Sequence, residues 1–472
     1  MAKHSPKFNL KWYILLPIVV AVTLVIWLMP VTSFGMPEMT VLQQRTMAIF
    51  VFAALMWLFE IIPAWATSIT TIVFLLFSVS DKGFLVTNRG TCVNFKEILS
   101  SFADPIIMLF LGGFILAIAA NKVGLDRFLA KSMLGVFGSR PQFVLLGILL
   151  VCGTFSMFMS NTATAAMILA FMAPILVGFS NKSKSGAALV LAIPIAANLG
   201  GLGTPIGTPP NAIAIGQFAS QTGISISFGS WMLHMVPYVL VMLLISWGVL
   251  MLLFPMEKGK LEFNIEAPKK LDRNFWIVAI VFFVTILLWI TSELTHVDAD
   301  IVALVPFAVF AITGVFEAND FGKIEWNILW MVAGGFALGY CLSDTGLAHL
   351  LVNSIPFASW PALAVIIGIG FTIYLLSTFI SNSATASLMM PIAAVLASVM
   401  KDGMSVIGNA SSMIVYMAIC CSLAMTLPIS TPPNAIACST GIVQTRDMVK
   451  VGLIIGIAGA VLGFFWLKIF PF

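Results

Sequence analysis

Two short polar strings each occur twice in this chain, and both consist of residue types that ligate ions. The first reads Ser160-Asn161-Thr162-Ala163-Thr164-Ala165 and returns as Ser381-Asn382-Ser383-Ala384-Thr385-Ala386. The second reads Thr208-Pro209-Pro210-Asn211-Ala212-Ile213-Ala214 and returns as Thr431-Pro432-Pro433-Asn434-Ala435-Ile436-Ala437. Asn offers an amide oxygen to a cation and an NH₂ to an anion, and Ser and Thr hydroxyls serve either role. Hard cations take several oxygen ligands. One such set is expected from Ser160, Asn161 and the chain at Gly207, and a second from Ser381, Asn382 and the chain at Ser430. Neither pair of strings contains Lys or Arg. An anion bound there would meet neutral donors, helix ends and a co-bound cation.

The elements that carry these strings follow from composition. Of 472 residues, 60% are hydrophobic and 9% charged, and mean hydropathy is +1.07. A soluble domain carries about 25% charged residues, so this chain is expected to be solvated by lipid. Apolar runs long enough to enter a bilayer cover 12–29, 46–60, 64–80, 105–121, 143–178, 186–216, 231–255, 274–292, 299–316, 326–343, 361–399, 411–440 and 449–470. The first is too long for a signal-peptide core and lacks a small-residue cleavage site, so no cleavable leader is expected.

Charge orients these runs, because Lys and Arg near span ends favour the cytoplasm. Lys3, Lys7 and Lys11 place the N-terminus inside. Lys122, Arg127, Lys131 and Arg140 do the same for 122–142, and Lys182 and Lys184 for 179–186. Lys258, Lys260, Lys269, Lys270 and Arg273 do so for 256–273. The run 143–178 thus starts and ends on one side. It is expected to enter and return, with its turn near Ser160-Asn161-Thr162 at membrane depth. Irregular polar backbone is tolerated there only inside protein or a wet cavity.

The repeat extends beyond the two strings. Gly112-Gly113-Phe114 returns as Gly334-Gly335-Phe336, an offset of 222 (334 − 112). The Ser-Asn strings are offset by 221 (381 − 160) and the Thr-Pro-Pro-Asn strings by 223 (431 − 208). Five runs lie between the two expected hairpins, so the second opens to the opposite face. Inverted repeats of this kind suit a secondary transporter, which presents one site alternately to each side. Proline inside a span costs about 3 kcal/mol, so 186–216 and 411–440 are expected to break near mid-membrane. A break frees carbonyls on one side and amides on the other, fit for a cation and a carboxylate respectively.

The remaining residues support no other chemistry. Six cysteines (Cys92, Cys152, Cys341, Cys420, Cys421 and Cys438) have no paired spacing and read as small apolar residues. His4, His234, His296 and His349 have no ligand spacing. With no acid pair or activated nucleophile, an enzyme is not expected. Nor is a nucleic-acid partner, at a net charge of +4. Trp12, Trp27, Trp57, Trp65, Trp231, Trp276 and Trp330 read as interfacial anchors. Glu60 with Pro63 reads as a corner, and Asp104 and Asp344 as structural. Thr164 and Thr385, taken singly, read as hydroxyls bonded back to their own helices.

At its duplicated strings the sequence resembles the divalent anion–sodium symporter family, the di- and tricarboxylate transporters, over about residues 40–470. The resemblance implies an all-α polytopic protein of about eleven transmembrane helices plus two re-entrant hairpins. It also implies a homodimer in the cell membrane in which a transport part moves as an elevator against a scaffold. The divisions expected are an N-terminal lead-in (1–44), a first inverted repeat (45–256), a cytoplasmic linker (257–273) and a second repeat (274–472). The C-terminus is then extracytoplasmic. By the same resemblance one Na⁺, the coupling ion, lies near Ser156, Ser160, Asn161 and Gly207. Another lies near Ser377, the Ile380 backbone, Asn382 and Ser430. Substrate carboxylates meet Asn161, Thr162, Thr208, Asn382, Ser383, Thr431 and Pro432. Ser383 departs from the usual Thr, which keeps the hydroxyl and loses a methyl. The reading is a Na⁺-coupled carrier of C4-dicarboxylates such as succinate, malate or fumarate, with Na⁺-independent exchange and, from another class, an ion channel as alternatives. Asn161→Ala and Asn382→Ala should each abolish uptake of labelled succinate while expression and dimerisation persist. Normal uptake by both variants would remove these residues from the site.

Overall fold

The computed structural model describes residues 10–36, 38–85, 92–179, 183–257, 259–261, 271–355, 357 and 360–472. Lys3, Lys7, Lys182, Lys258, Lys269 and Lys270, which carry part of the charge argument, lie outside them. The described chain is helical, with one isolated bridge between Ser80 and Val93. The first half runs through α1 (Leu10–Leu28), α2 (Val41–Phe59), α3 (Ala64–Ser78), the short α4 (Phe95–Ser100), α5 (Pro105–Val123) and α6 (Leu125–Gly135). It continues through α7 (Pro141–Ser156), α8 (Asn161–Leu176), α9 (Lys184–Gly201), α10 (Pro209–Thr222) and α11 (Phe228–Leu253). The second half opens with α12 (Arg273–Ile290), the one-turn α13 (Ser292–Thr295), and α14 (Ala299–Val302) leading into α15 (Leu304–Thr313). Then come α16 (Trp326–Asp344), α17 (Leu347–Ser354), α18 (Ala362–Phe379), α19 (Asn382–Val399), α20 (Ala410–Ser422), α21 (Pro432–Ser439) and α22 (Thr445–Ile469). Among the described residues, nine helices are long and apolar enough to cross a membrane, with shorter apolar helices beside them.

The order of elements repeats. In each half a long helix (α5, α16) ends near a left-handed glycine, Gly124 at φ 75° or Gly346 at φ 72°. A short helix follows (α6, α17), then a hairpin (α7–α8, α18–α19), then a pair interrupted by non-helical chain (α9 and α10, α20 and α21). The basic segment 122–142 is therefore not plain loop. In its α6 portion Leu125, Ala130 and Leu134 are buried while Arg127 and Lys131 are exposed.

Burial separates two layers. Every residue of α9 from Ser185 to Gly201, and of α20 from Ser412 to Ser422, is buried. A helix that is apolar all round and buried all round belongs at the centre of a bundle. By contrast α12 and α15 expose large apolar side chains, including Ile280, Phe283, Leu287 and Ile312. That surface suits lipid.

The two halves interlock at the repeated glycines. A Cβ on Gly112 of α5 would lie 2.2 Å from the Ala303 carbonyl oxygen, between α14 and α15. One on Gly334 of α16 would lie 2.3 Å from Ser68 Cβ of α3. Each long helix thus packs into the other half, and small residues permit the close approach. Glu60 closes α2 in the left-handed region (φ 47°), and Asp104 caps α5 through the Ile106 N–H at 2.9 Å, as expected of structural residues. Two tryptophans correct the anchor reading. Trp57 and Trp231 are fully buried and donate to the carbonyls of Ala64 and Leu202, because a buried indole N–H needs a partner. The crossing can be tested with glycine variants. Gly112→Ala and Gly334→Ala should each destabilise the purified protein by about 1–3 kcal/mol, the usual cost of overpacking. Gly248→Ala, which meets open space, should not. Equal thermal midpoints for all three would contradict the crossing.

Candidate functional site

The expected turns and breaks fall at the two polar strings. Residues 157–160 join α7 to α8, and Ile380 and Ser381 join α18 to α19. Ser160 and Ser381 are the N-caps, accepting from the N–H groups of Ala163 and Ala384 at 3.3 Å. The non-helical chain between α9 and α10 is 202–208, and between α20 and α21 it is 423–431. The prolines do not interrupt continuous helices. Pro209 and Pro432 occupy the first turns of α10 and α21, where a missing N–H costs nothing and the fixed φ is helical. Their strings are starts of helices, and the breaks lie just before them.

Each break is closed by the Asn two residues beyond its first proline. Asn211 donates to the carbonyls of Gly201 and Thr204 at 2.9 and 2.8 Å. Asn434 donates to those of Met425 and Leu427 at 2.8 and 2.9 Å. A second tie joins each break to its hairpin, and here the halves exchange roles. In the first, the Thr204 hydroxyl donates to the Met157 carbonyl and accepts from the Gly207 N–H. In the second, the Ser430 hydroxyl donates to the Thr378 carbonyl at 2.7 Å and accepts from the Leu427 N–H at 3.1 Å.

Behind each tip, oxygens converge. In the first half the Ser156 hydroxyl is fully buried and donates to the Ala197 carbonyl at 2.7 Å. One terminal atom of the Asn161 amide stands 2.6 Å from Ser156 Oγ, 3.1 Å from the Ala197 carbonyl and 3.2 Å from the Gly207 carbonyl. With nitrogen there, the two amide hydrogens are shared among the three acceptors. With oxygen there, four oxygens come together and the single Ser156 proton, 2.6 Å from Asn161 Oδ1 and 2.7 Å from the Ala197 carbonyl, is shared between two acceptors. The orientation of one amide thus decides whether this cluster is rich in donors or in oxygens. Gly207 permits the approach, since a Cβ on it would lie 2.5 Å from the Gly201 carbonyl oxygen. In the second half, Ser377 Oγ lies 2.7 Å from the Cys421 carbonyl and 2.9 Å from Asn382 Oδ1. One hydroxyl proton cannot serve both acceptors fully, so this set too is rich in oxygen.

The structure thus gathers Ser156, Asn161 and Gly207 in one cluster and Ser377 and Asn382 in another. Ser430 is tied to the residue after Ser377, and Ile380 is buried at the second turn. Ser160 does not join the first cluster; it caps α8 and its hydroxyl donates to Glu325 at 2.8 Å. Among the residues expected to meet substrate, Thr162 and Pro432 are exposed, Asn161 and Ser383 are partly exposed, and Thr208, Asn382 and Thr431 are buried. Thr431 accepts from Asn198 at 3.1 Å, which links α9 to the second break. Among the described residues, no group of three His, Cys, Asp or Glu side chains gathers as metal ligands.

Some participants were invisible in the sequence. Ala197 and Cys421 contribute backbone carbonyls, which side-chain type does not predict. Cys421 also donates its thiol to the Asn382 carbonyl at 3.0 Å, beyond the small apolar role expected of it. Asn198, a lone amide in the apolar run of α9, carried a signal that was overlooked. Thr164 and Thr385 correct the back-bonding reading, since both hydroxyls are buried without a hydrogen-bond partner among the described residues.

Comparisons with known proteins bear on the family and the fold. The profile of the sodium:sulfate symporter transmembrane region matches residues 9–470. A Staphylococcus saprophyticus protein named sodium-dependent dicarboxylate transporter SdcS is 31% identical over 445 residues, 86% of this chain and 82% of that protein. Its namesake in Staphylococcus aureus is 29% identical over 452 residues, 88% of this chain and 84% of that one. An uncharacterised transporter of Haemophilus influenzae is 31% identical over 451 residues, 89% and 92% of the two chains. The Alcanivorax borkumensis YdaH transporter has a similar fold, with a TM-score of 0.55 and 12% identity over 80% of this chain and 88% of that one. So does Neisseria gonorrhoeae MtrF, with 0.54 and 13% over 86% and 95%.

The break closures generate a stability test. Asn211→Ala and Asn434→Ala each remove the side-chain donor from two carbonyls; Thr204 keeps the Gly207 N–H and Leu427 the Ser430 N–H, while the buried carbonyls of Gly201 and Met425 are orphaned, at about 1–3 kcal/mol each. Both variants should melt several degrees below the parent protein. Unchanged melting would mean that the breaks are held by the loops alone.

Proposed function

The chain belongs to the sodium:sulfate symporter family, that of the divalent anion–sodium symporters, and from this premise we propose that it is a Na⁺-coupled importer of C4-dicarboxylates. It is a multi-pass membrane transporter and not an enzyme. The observation that carries the proposal is the pair of oxygen clusters, one behind each hairpin tip, built from the repeated Ser-Asn strings. The relatives named as sodium-dependent dicarboxylate transporters support the choice of ion and substrate class.

On this reading one Na⁺ is held by Ser156, Asn161 and the carbonyls of Ala197 and Gly207. Another is held by Ser377, Asn382, the carbonyl of Cys421 and the chain near Ile380 and Ser430. The amide nitrogens of Asn161 and Asn382 and the hydroxyls of Thr162 and Ser383 turn toward the carboxylates. The N-termini of α10 and α21 add positive dipole ends at Thr208, Thr431 and Pro432. Two cations offset a dianion, so no Lys or Arg is needed. Neutral ligands also permit release, which a carrier requires. We further propose that the hairpins and the broken pairs α9–α10 and α20–α21 move together as an elevator against the outer helices of a homodimer. The N-terminus is cytoplasmic in this proposal. Buried α9 and α20 and lipid-suited α12 and α15 support such a division.

Uptake of labelled succinate into proteoliposomes tests the proposal. An inward Na⁺ gradient should drive accumulation, and its dissipation should prevent it. Uptake that ignores Na⁺ but requires internal dicarboxylate would establish exchange instead. Na⁺-driven uptake of sulfate without succinate would reassign the substrate.

A further inference from the structure

Glu325 immediately precedes α16, yet its side chain does not cap that helix. Its carboxylate reaches the first hairpin tip and accepts a 2.8 Å hydrogen bond from Ser160, 165 residues away in the chain. A hydroxyl has one proton and two lone pairs. At Ser160 the proton goes to Glu325, and one lone pair receives the Ala163 N–H at 3.3 Å. The direction of the second lone pair is then fixed. A hydroxyl bonded to a carboxylate is about twice as strong a contact as one bonded to a neutral group.

Glu325 comes from a well-anchored segment. Lys122, at the end of α5, pairs with Glu317 at 3.0 Å and with Asp320 at 2.9 Å, and Lys323 pairs with Asp320 at 2.7 Å. Burial by itself would raise the Asp320 carboxyl, but hydrogen bonds from Lys122 and Lys323 outweigh it and hold the group well below the usual carboxylate range. The tip, by contrast, stands across a cavity of about 310 Å³ from α5, lined by Phe114, Asn121, Ser160, Ala163, Lys323 and Glu325. The hydrogen bond bridges a gap that packing leaves open.

The contact is one-sided. Asp104 holds the place before α5 that Glu325 holds before α16, at the same offset of 221 (325 − 104) that relates Ser160 to Ser381. Asp104 instead caps its own helix and faces a cavity of about 670 Å³. Ser381 makes no bond to it among the described residues. On that side α16 packs directly on its neighbours: a Cβ on Gly335 would lie 2.8 Å from Ser387 Oγ of α19, and one on Gly339 would lie 2.1 Å from Gln217 Oε1 of α10. The repeats are related in sequence but differ in this contact, as expected when a mobile part rests nearer one end of its travel.

We propose that Glu325 is a positioning residue for transport, which tethers the first hairpin tip through Ser160 in one of two orientations and aims the remaining Ser160 lone pair. The inference rests on the reading that the hairpin moves, since a moving hairpin must break this bond. The test uses Ala163→Cys, at an exposed position lining the same cavity, in the full chain with Cys92 and Cys438 replaced by Ser. Its reaction rate with the uncharged reagent N-ethylmaleimide reports release of the tip. Glu325→Ala and Ser160→Ala should each raise that rate about fivefold, the population change that a bond worth roughly 1 kcal/mol sustains. The double variant should react no faster than either single one. Glu325→Gln, whose amide oxygen still accepts the Ser160 proton, should fall between, and Asp104→Ala should match the parent. In uptake, Glu325→Ala should change the maximal rate of succinate transport while leaving the Na⁺ concentration for half-maximal transport near the parent value, since Ser160 stands outside the oxygen cluster. Additive labelling effects, or parent-like labelling of Glu325→Ala, would overturn the proposal. If the parent protein takes up no succinate with Na⁺, the transport reading fails while the labelling cycle still decides the tether. Glu325→Gln keeps the test open if Glu325→Ala does not fold.

Discussion

Backbone polar groups inside an apolar bundle must find partners, and the structure depends on how that requirement is met at two helix breaks. A continuous helix satisfies its own amides and carbonyls; an interrupted one does not. Here Asn211 and Asn434 each take up two freed carbonyls. Thr204 and Ser430 fasten the breaks to the hairpins, and Trp231 takes the carbonyl of Leu202. These bonds hold the chain open at fixed points. The carbonyls of Ala197, Gly207 and Cys421 are then aimed at the tip residues Asn161 and Asn382. On the proposed reading a cation completes what the polypeptide leaves incomplete.

The duplicated halves solve the same problem with different atoms. The tie between break and hairpin comes from a Thr at the start of the first break and from a Ser at the end of the second. Gly207 stands where the second half has Ser430. Asn198 crosses between the halves to Thr431, and its counterpart region in α20 carries Cys421, which bonds the second tip instead. Hydrogen-bond geometry is preserved although residue identity is not, because only the donor's position is constrained. Thr162 and Ser383 differ in the same spirit. The hydroxyl is retained and a methyl is lost, so the space at the second tip changes more than its polarity.

Interlocking of the halves has a mechanical consequence. The long helices α5 and α16 each pass a glycine against the other half, which fixes them to the outer layer. Buried α9 and α20 lie at the centre and carry the breaks. On the proposed elevator reading sliding would occur at the boundary between these groups, where cavities of about 670 and 310 Å³ lie although α16 packs closely on α10 and α19. The Ser160–Glu325 bond crosses this boundary where close packing is missing.

Much of the architecture is legible in the order of residues, because the relevant signals are local or repetitive. The chain's apolarity required a membrane. Its internal offsets required two related halves, and the Ser-Asn strings inside long apolar runs marked turns; that Ser160 and Ser381 cap the helices that follow came from the structure. Turn and break positions were legible for that reason. The tertiary structure decided matters that depend on which backbone atoms meet. It supplied Ala197 and Cys421 through carbonyls that every residue possesses. It moved Ser160 from the expected cation cluster to Glu325, because a carboxylate from the opposite half lies within reach. It buried Trp57 and Trp231, whose rings read equally well as interfacial, and it left Thr164 and Thr385 without the helix bonds their isolated context suggests. Sequence carries the donors and the places where helices must stop; which oxygen each donor meets is fixed only when distant segments pack.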